Sequence, residues 1–139
     1  MNIFVVNTNP RESARQLCDK HVVKMITESV QMLSNVMYHV GMEGPYKKTH
    51  WNHPCSIWVR ESYQNYCWLY AHADELGYEY MRRYSNGDPL KKHKSHKVLH
   101  NYLPNEIKEL PDIGLTPFVN CTPYKDIDNV VEAYKKFYM

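Results

Sequence analysis

The feature that most constrains the fold is a long helical pattern between Pro10 and Val40. Apolar side chains recur there at three- and four-residue steps, which places them on one broad arc of a helix. They are Ala14, Cys18, Val22, Met25, Ile26, Leu33, Val36, Met37 and Val40. Asn9 is suited to cap this helix and Gly41 to end it. The pattern predicts a helix over 10–40, either continuous or, since about 31 residues is longer than most helices, broken near Cys18-Asp19.

Helical patterns also fill most of the remaining chain. A second helix is expected from Pro54 to about Arg83, a third from Pro89 to about Tyr102, and a last one from Asp126 or Asp128. A turn at 85–88 separates the second and third helices. Residues 103–125 contain four prolines, which predicts ordered irregular chain with at most a short helix around Glu106. The apolar run 3–6 is either a strand or an extended arm.

These elements predict a mainly α protein, a compact single-domain helical bundle over residues 1–139 with a short extended N-terminal segment. Apolar residues make up 43% and charged residues 23% of the 139, which are globular values and exclude a disordered or collagen-like chain. No apolar run is long enough to span a membrane, and the N-terminus does not resemble a signal peptide. The four cysteines form no Cys-x-x-Cys pair, so we expect free thiols in a cytoplasmic protein.

A narrow polar stripe runs beside the apolar arc of the first helix. It contains His21, Lys24, Glu28, Gln31 and Asn35, at successive steps of three and four residues. An imidazole, an amine and a carboxylate side by side are the parts of a general acid–base site, and an amine can also act as a nucleophile. The alternative is an ordinary exposed helix face with a Glu–Lys pair. The functional interpretation predicts that this stripe faces a pocket formed with the second helix.

Positive charge is concentrated in residues 81–100. Six basic residues stand there against Asp88, so the segment carries +5 while the whole chain carries only +2. The basic residues are Arg82, Arg83, Lys91, Lys92, Lys94 and Lys97. Such asymmetry indicates either a surface for phosphates or a solvated helix face. Arg60, near Trp58 and Trp68, is a further candidate for phosphate binding, with an ion pair beside core tryptophans as the alternative.

Histidines raise the question of a metal. His93, His96 and His100 share one face of the third helix, and His50, His53 and Cys55 precede the second. Neither group matches a zinc motif, and lysines surround the first, where they would repel a cation. We therefore expect no tightly bound metal and no cofactor.

Five segments resemble a family of small tailed-phage proteins. They are Cys18 to Met25, Asn52 to Cys55 with Trp58 and Arg60, Asn65 to Leu69, Gly114 to Phe118, and Glu132 to Tyr134. The resemblance covers nearly the whole chain. It implies a phage origin and a location in the host cytoplasm.

The chain is also similar, more remotely, to the phage pyrimidine-dimer DNA glycosylases of the endonuclease V type. The similarity rests on Asp19-x-His21 followed by Glu28, on His53 with the helix to Arg82-Arg83, and on an aromatic C-terminus with Tyr134, Phe137 and Tyr138. It implies a helical DNA glycosylase with AP-lyase activity, in which Glu28 is catalytic and an amine forms a Schiff base with the sugar. His21 would help position the nucleotide.

The chain differs from these glycosylases in the residue that could supply the nucleophile. Those enzymes use the α-amine of a threonine exposed by removal of the initiator Met, whereas residue 2 here is Asn, which usually leaves Met1 in place. The amine is then that of Met1, Lys24 or Lys20. The alternative function is a non-catalytic nucleotide-binding protein, possible as a homo-oligomer, that sequesters a host defence signal. In that case Gln31, Asn35 and the basic residues would bind a small nucleotide instead of DNA.

Overall fold

The computed structural model describes residues 1–86 and 88–138 and contains six α-helices. They are α1 (Pro10–Arg15), α2 (Asp19–His39), α3 (Pro54–Glu61), α4 (Tyr63–Tyr84), α5 (Lys94–Tyr102) and α6 (Val130–Tyr138). Residues 1–86 and 88–138 contain no β-strand. The predicted mainly α class is confirmed. None of these helices is long and apolar enough to cross a lipid bilayer.

Of the two alternatives for the first predicted helix, the broken one is observed, because α1 ends at Arg15 and α2 begins at Asp19. The predicted helix over 54–83 is wrong in one respect, since it is divided at Ser62. The Ser62 backbone is extended, and its side chain accepts a hydrogen bond from the Asn65 amide, so it caps α4.

The third helix also begins later than predicted. Residues Pro89–Lys91 form a single 3₁₀ turn, and α5 starts only at Lys94 with the His93 side chain as its cap. Of the predicted turn at 85–88, Gly87 lies outside the described residues, while the Asp88 amide donates to the Ser85 carbonyl. The last helix starts at Val130, where Asn129 caps it.

Helix α2 lies at the centre of the molecule and contacts α3, α4 and α5. Its apolar arc is buried against α4, and Val22, Ile26 and Leu33 are inaccessible to solvent. The irregular segment 103–125 crosses α3 and α4, held by hydrogen bonds such as that from Trp58 Nε1 to the Thr116 carbonyl.

The apolar run 3–6 is an extended arm and is buried against the core. Helix α6 packs on this arm through its aromatic side chains, with Phe4 in contact with Tyr134, Phe137 and Tyr138. The arm brings the chain's first residue to the polar edge of α2.

Candidate active site

An open cavity of about 690 Å³ lies along the polar edge of α2. Helix α2 supplies five lining residues at helical spacing, which are Val23, Lys24, Thr27, Glu28 and Gln31. Met1, His50 and His93 complete the lining. The predicted stripe therefore does reach a pocket, but the opposite wall is not the second helix. That prediction is corrected, because α3 and α4 occupy the apolar side of α2 and leave the polar edge to the arm, the loop 40–53 and the start of α5.

Two amines flank the Glu28 carboxylate at the base of this cavity. The Met1 α-amine lies 3.5 Å from Oε1, and Lys24 Nζ lies 3.8 Å from Oε2. The Glu28 side chain is 14% exposed, and its Oε1 makes no hydrogen bond with any described residue. A carboxylate in this position can exchange protons with a neighbouring amine and stabilise positive charge nearby.

The arm holds the Met1 amine in place through several independent contacts. The Met1 side chain is 1% exposed, so it is anchored in the core. The Asn2 side chain accepts hydrogen bonds from the Ile3 amide at 2.8 Å and from the Tyr134 hydroxyl at 2.6 Å. Phe4 has a φ of 59°, an uncommon value for a bulky residue. Ser13 bridges the Phe4 carbonyl and the Val6 amide around it.

The far walls of the cavity are joined to α2 by one hydroxyl cluster. Ser95 Oγ lies 2.9 Å from Thr27 Oγ1 and 2.7 Å from the Tyr46 hydroxyl, which ties α5 and the loop to α2. Burial lowers the pKa of the His93 imidazole, so this ring is neutral at neutral pH. His50 has a φ of 47°, another uncommon backbone conformation at the cavity.

His21 lies beside the cavity, not in its lining. Its ring stacks on Phe4 with centroids 4.2 Å apart, and its Nδ1 is 2.6 Å from the Tyr138 hydroxyl. Burial lowers its pKa, and the charges of Lys20 and Lys24 add to the lowering. The structure therefore places His21 between the arm and α6, where it supports the residues that carry the amine.

Asn35 is fully buried one helical turn beyond Gln31. Its amide nitrogen donates to the Thr49 carbonyl at 2.6 Å and to Ser56 Oγ at 2.9 Å, and its oxygen accepts from the Thr49 amide. Because every polar atom of this side chain is used internally, the assignment of Asn35 to ligand binding is corrected. It fastens the loop 40–53 to α2.

Arg60 also contacts the loop 40–53. Its guanidinium donates to the Trp51 carbonyl at 2.7 Å and lies 4.3 Å from the centroid of the Trp51 ring. Trp58 and Trp68 are core residues. Arg60 does not line the cavity, and its contact with phosphate stays a prediction.

Among the basic residues of 81–100, Arg83 is engaged internally. Its guanidinium donates to the carbonyls of Leu17 and Arg15 and to Asp19, which closes the junction between α1 and α2. Arg82 is exposed and pairs with Glu79 at 2.9 Å. Lys91, Lys94 and Lys97 are exposed, whereas Lys92 lies beside His100. Their segment reaches the cavity through His93.

Sequence reasoning did not assign Thr27, His50 or His93 to the site. Thr27 lies one turn from Val23 and Gln31 on the same helix edge, so its position was accessible from spacing alone. His50 and His93 come to the cavity through loops, and helical spacing carries no information about them.

Comparison with known proteins gives one finding. A family model described as pyrimidine dimer DNA glycosylase matches residues 1–92. The match includes Met1, Lys24, Glu28, Gln31 and His50, and it ends just before His93. No curated protein and no solved structure matches the chain.

Proposed function

Because the chain belongs to the pyrimidine dimer DNA glycosylase family, we propose that it is a DNA glycosylase with AP-lyase activity. In this proposal the Met1 α-amine is the nucleophile and Glu28 is the acid–base residue. The observation that carries it is the 3.5 Å separation of these two groups at the base of an open cavity. Family membership indicates DNA as the partner.

The reaction begins when the lone pair of the amine attacks C1′ of a deoxyribose. The bond from C1′ to the base breaks, and the base leaves with the bonding electrons. Glu28 accepts a proton from the attached amine and passes it to the ring oxygen O4′. The C1′–O4′ bond breaks as the nitrogen lone pair forms the Schiff base, and the carboxylate stabilises its positive charge. Removal of a C2′ proton then expels the 3′ phosphate, which cleaves the strand.

Burial and packing favour Met1 over the lysines as the nucleophile. The Lys24 side chain is 62% exposed, and Lys20 is exposed and outside the cavity lining. The core packing of the Met1 side chain also holds its amine beside Glu28. The exposed Lys24 side chain would instead lose conformational entropy when it is fixed in one position.

DNA binding is assigned to the basic segment beside the cavity. Lys91, Lys94 and Lys97, with Arg82, contact phosphates without reading sequence. A base rotated out of the duplex enters the cavity, where Gln31, His50 and His93 offer hydrogen-bonding groups. His21 acts as a positioning residue through Phe4 and Tyr138. The phage origin and the action in host cytoplasm stay predictions.

Strand cleavage of duplex DNA that carries a pyrimidine dimer or an abasic site tests this proposal. The purified protein is expected to nick both substrates and to form a covalent adduct with DNA when borohydride reduces the Schiff base. Glu28→Gln keeps the shape of the side chain and removes its charge, so cleavage is expected to fall by at least a hundredfold, roughly the contribution of one general acid–base group.

Glu75→Gln is the matched control, because Glu75 lies on α4 and pairs with Arg11 outside the cavity lining. It is expected to cleave as well as the unmodified protein. The proposal is contradicted if neither the dimer-containing nor the abasic duplex is cleaved and neither forms an adduct. Tight binding of a free nucleotide in that case favours the non-catalytic alternative.

A further inference from the structure

A second group of reactive side chains lies beneath the N-terminal arm. His53 and Cys55 stand at the start of α3, and Cys121 comes from the irregular segment 103–125. The two sulfur atoms are 3.6 Å apart, and one ligand atom from each of the three residues lies within 4.8 Å of the others. Cys55 is 1% exposed. None of the three lines the cavity described above.

We infer that His53, Cys55 and Cys121 form a binding site for Zn²⁺. Two thiolates and an imidazole are a ligand set that Zn²⁺ prefers, and two thiolates compensate its charge. Zinc–sulfur bonds of 2.3 Å in a tetrahedral arrangement place two sulfur atoms about 3.8 Å apart, close to the separation seen here. Three protein ligands leave a fourth position for water.

Sequence spacing does not reveal this site, since Cys121 lies 66 residues beyond Cys55. In the sequence, His53 and Cys55 group with His50, which is why no tightly bound metal was expected in this region. In the structure His50 lines the cavity instead, and Cys121 provides a second sulfur atom beside His53 and Cys55. The Nδ1 atom of His53 accepts a hydrogen bond from the Cys55 amide at 3.1 Å, which holds the ring beside the start of α3.

The other group of potential ligands is less suited to a metal. Asp74 Oδ1 lies 2.7 Å from His96 Nε2 and 2.6 Å from His100 Nε2, so the three already form a closed hydrogen-bonded network. Lys92 Nζ contacts the remaining nitrogen of His100. Both rings already share the single carboxylate oxygen, so this cluster offers a cation less negative charge than two thiolates do.

A metal at the sulfur site would also be linked to the N-terminal arm through hydrogen bonds. The Cys121 amide donates to the Tyr134 hydroxyl, and that hydroxyl donates to Asn2. An ion held by Cys55 and Cys121 would therefore join α3 to the segment that supports residues 1 and 2. This consequence does not depend on the proposed glycosylase activity, because metal binding can be measured without it.

Titration of the reduced, full-length protein with Co²⁺ and Zn²⁺ tests the inference. One equivalent of Co²⁺ is expected to give a tetrahedral visible spectrum with a thiolate charge-transfer band, and Zn²⁺ is expected to displace it. Cys121→Ser and His53→Asn should abolish the stoichiometric tetrahedral complex. The Asn side chain can still cap α3, so His53→Asn separates ligation from helix capping.

Cys18→Ser and Cys67→Ser are the controls, because neither thiol belongs to the cluster. They should leave the titration unchanged. The inference is overturned if protein with four titratable thiols binds no Co²⁺, or if binding survives in Cys121→Ser. A protein that contains a Cys55–Cys121 disulfide under mildly reducing conditions and binds no metal also overturns it.

Discussion

At the scale of single residues, the polar stripe of α2 contains side chains with opposite roles. Glu28 and Asn35 are seven residues apart on the same edge, yet Glu28 lines the cavity and Asn35 is fully buried. Spacing predicted correctly that Lys24, Glu28 and Gln31 share an edge with one another. It did not predict where the loop 40–53 covers that edge, because this depends on Thr49 and Ser56, which are distant in sequence.

Asn35→Ala is expected to lower the free energy of unfolding by about 2–3 kcal/mol. The substitution leaves the buried Ser56 hydroxyl and the half-buried Thr49 peptide without their partner, which costs more than the loss of an exposed hydrogen bond. Gln31→Ala, one turn earlier and at the cavity, is the control and should change stability by no more than about 0.5 kcal/mol. Denaturant titration measures both. Equal effects of the two substitutions would show that Asn35 does not fasten the loop.

His72 makes stability depend on pH. It is fully buried, its Nδ1 donates to the Pro10 carbonyl, and burial lowers its pKa from 6.5 to about 4. Between these values the unfolded chain binds a proton that the folded protein does not. The stabilising contribution of neutral His72 is therefore complete above about pH 6.5 and is lost as the pH falls towards 4.

His72→Asn keeps a donor for Pro10 and removes the titration. We expect the stability difference between the unmodified protein and this variant to shift by about 3 kcal/mol, in favour of the variant, as the pH falls from 6.5 to 4. Denaturant titrations at several pH values give this difference. A difference that is constant over the range would mean that His72 is not held neutral by burial.

At the scale of elements, the chain's helices were predictable and their interruptions only partly so. The break between α1 and α2 followed from the excessive length of the pattern. The break at Ser62 was not seen, because Ser62 falls on the buried side of an otherwise continuous periodicity. What interrupts the helix there is a tertiary contact, in which the Tyr63 amide donates to the Pro111 carbonyl from the segment 103–125.

Close packing of α4 against α5 depends on Gly77. A Cβ atom at this position would lie 2.2–2.5 Å from the ring atoms of His96. Gly77→Ala should therefore destabilise the protein by about 1–3 kcal/mol through overpacking, although alanine is the better helix former.

The His96→Ala background provides the control for Gly77. Once the ring is removed, Gly77→Ala should become neutral or stabilising by up to about 1 kcal/mol. Denaturant titration of the two single variants and the double variant measures this reversal. If Gly77→Ala costs the same in both backgrounds, the contact with His96 is not the reason for the glycine.

At the scale of the whole molecule, the N-terminal arm and the start of α5 both border the cavity along α2. The family match ends at residue 92, yet α6 lies beyond it and holds the arm through Tyr134 and Tyr138. The aromatic C-terminus was recognisable in the sequence. Its contacts with Asn2 and His21 were not, since they join residues more than a hundred positions apart.

Neutralising Lys91, Lys92, Lys94 and Lys97 to Gln should weaken DNA binding for all sequences. In a plot of the logarithm of the binding constant against the logarithm of the salt concentration, the magnitude of the slope should fall by roughly one for each phosphate contact that is lost. The control replaces Lys108, Lys125, Lys135 and Lys136, which are exposed and outside the basic segment, so the net charge changes equally. Binding measured at several salt concentrations should respond only to the first set. An equal response would indicate a general effect of net charge.

The most direct test of the account is to map the adduct that borohydride traps between the protein and abasic DNA. Digestion and mass spectrometry of the adduct should place the sugar remnant on the α-amine of Met1, with the initiator Met retained, and Lys24→Gln should not prevent its formation. The claim is contradicted if the remnant lies on Lys24 or Lys20, or if Met1 is absent from the purified protein while the adduct still forms.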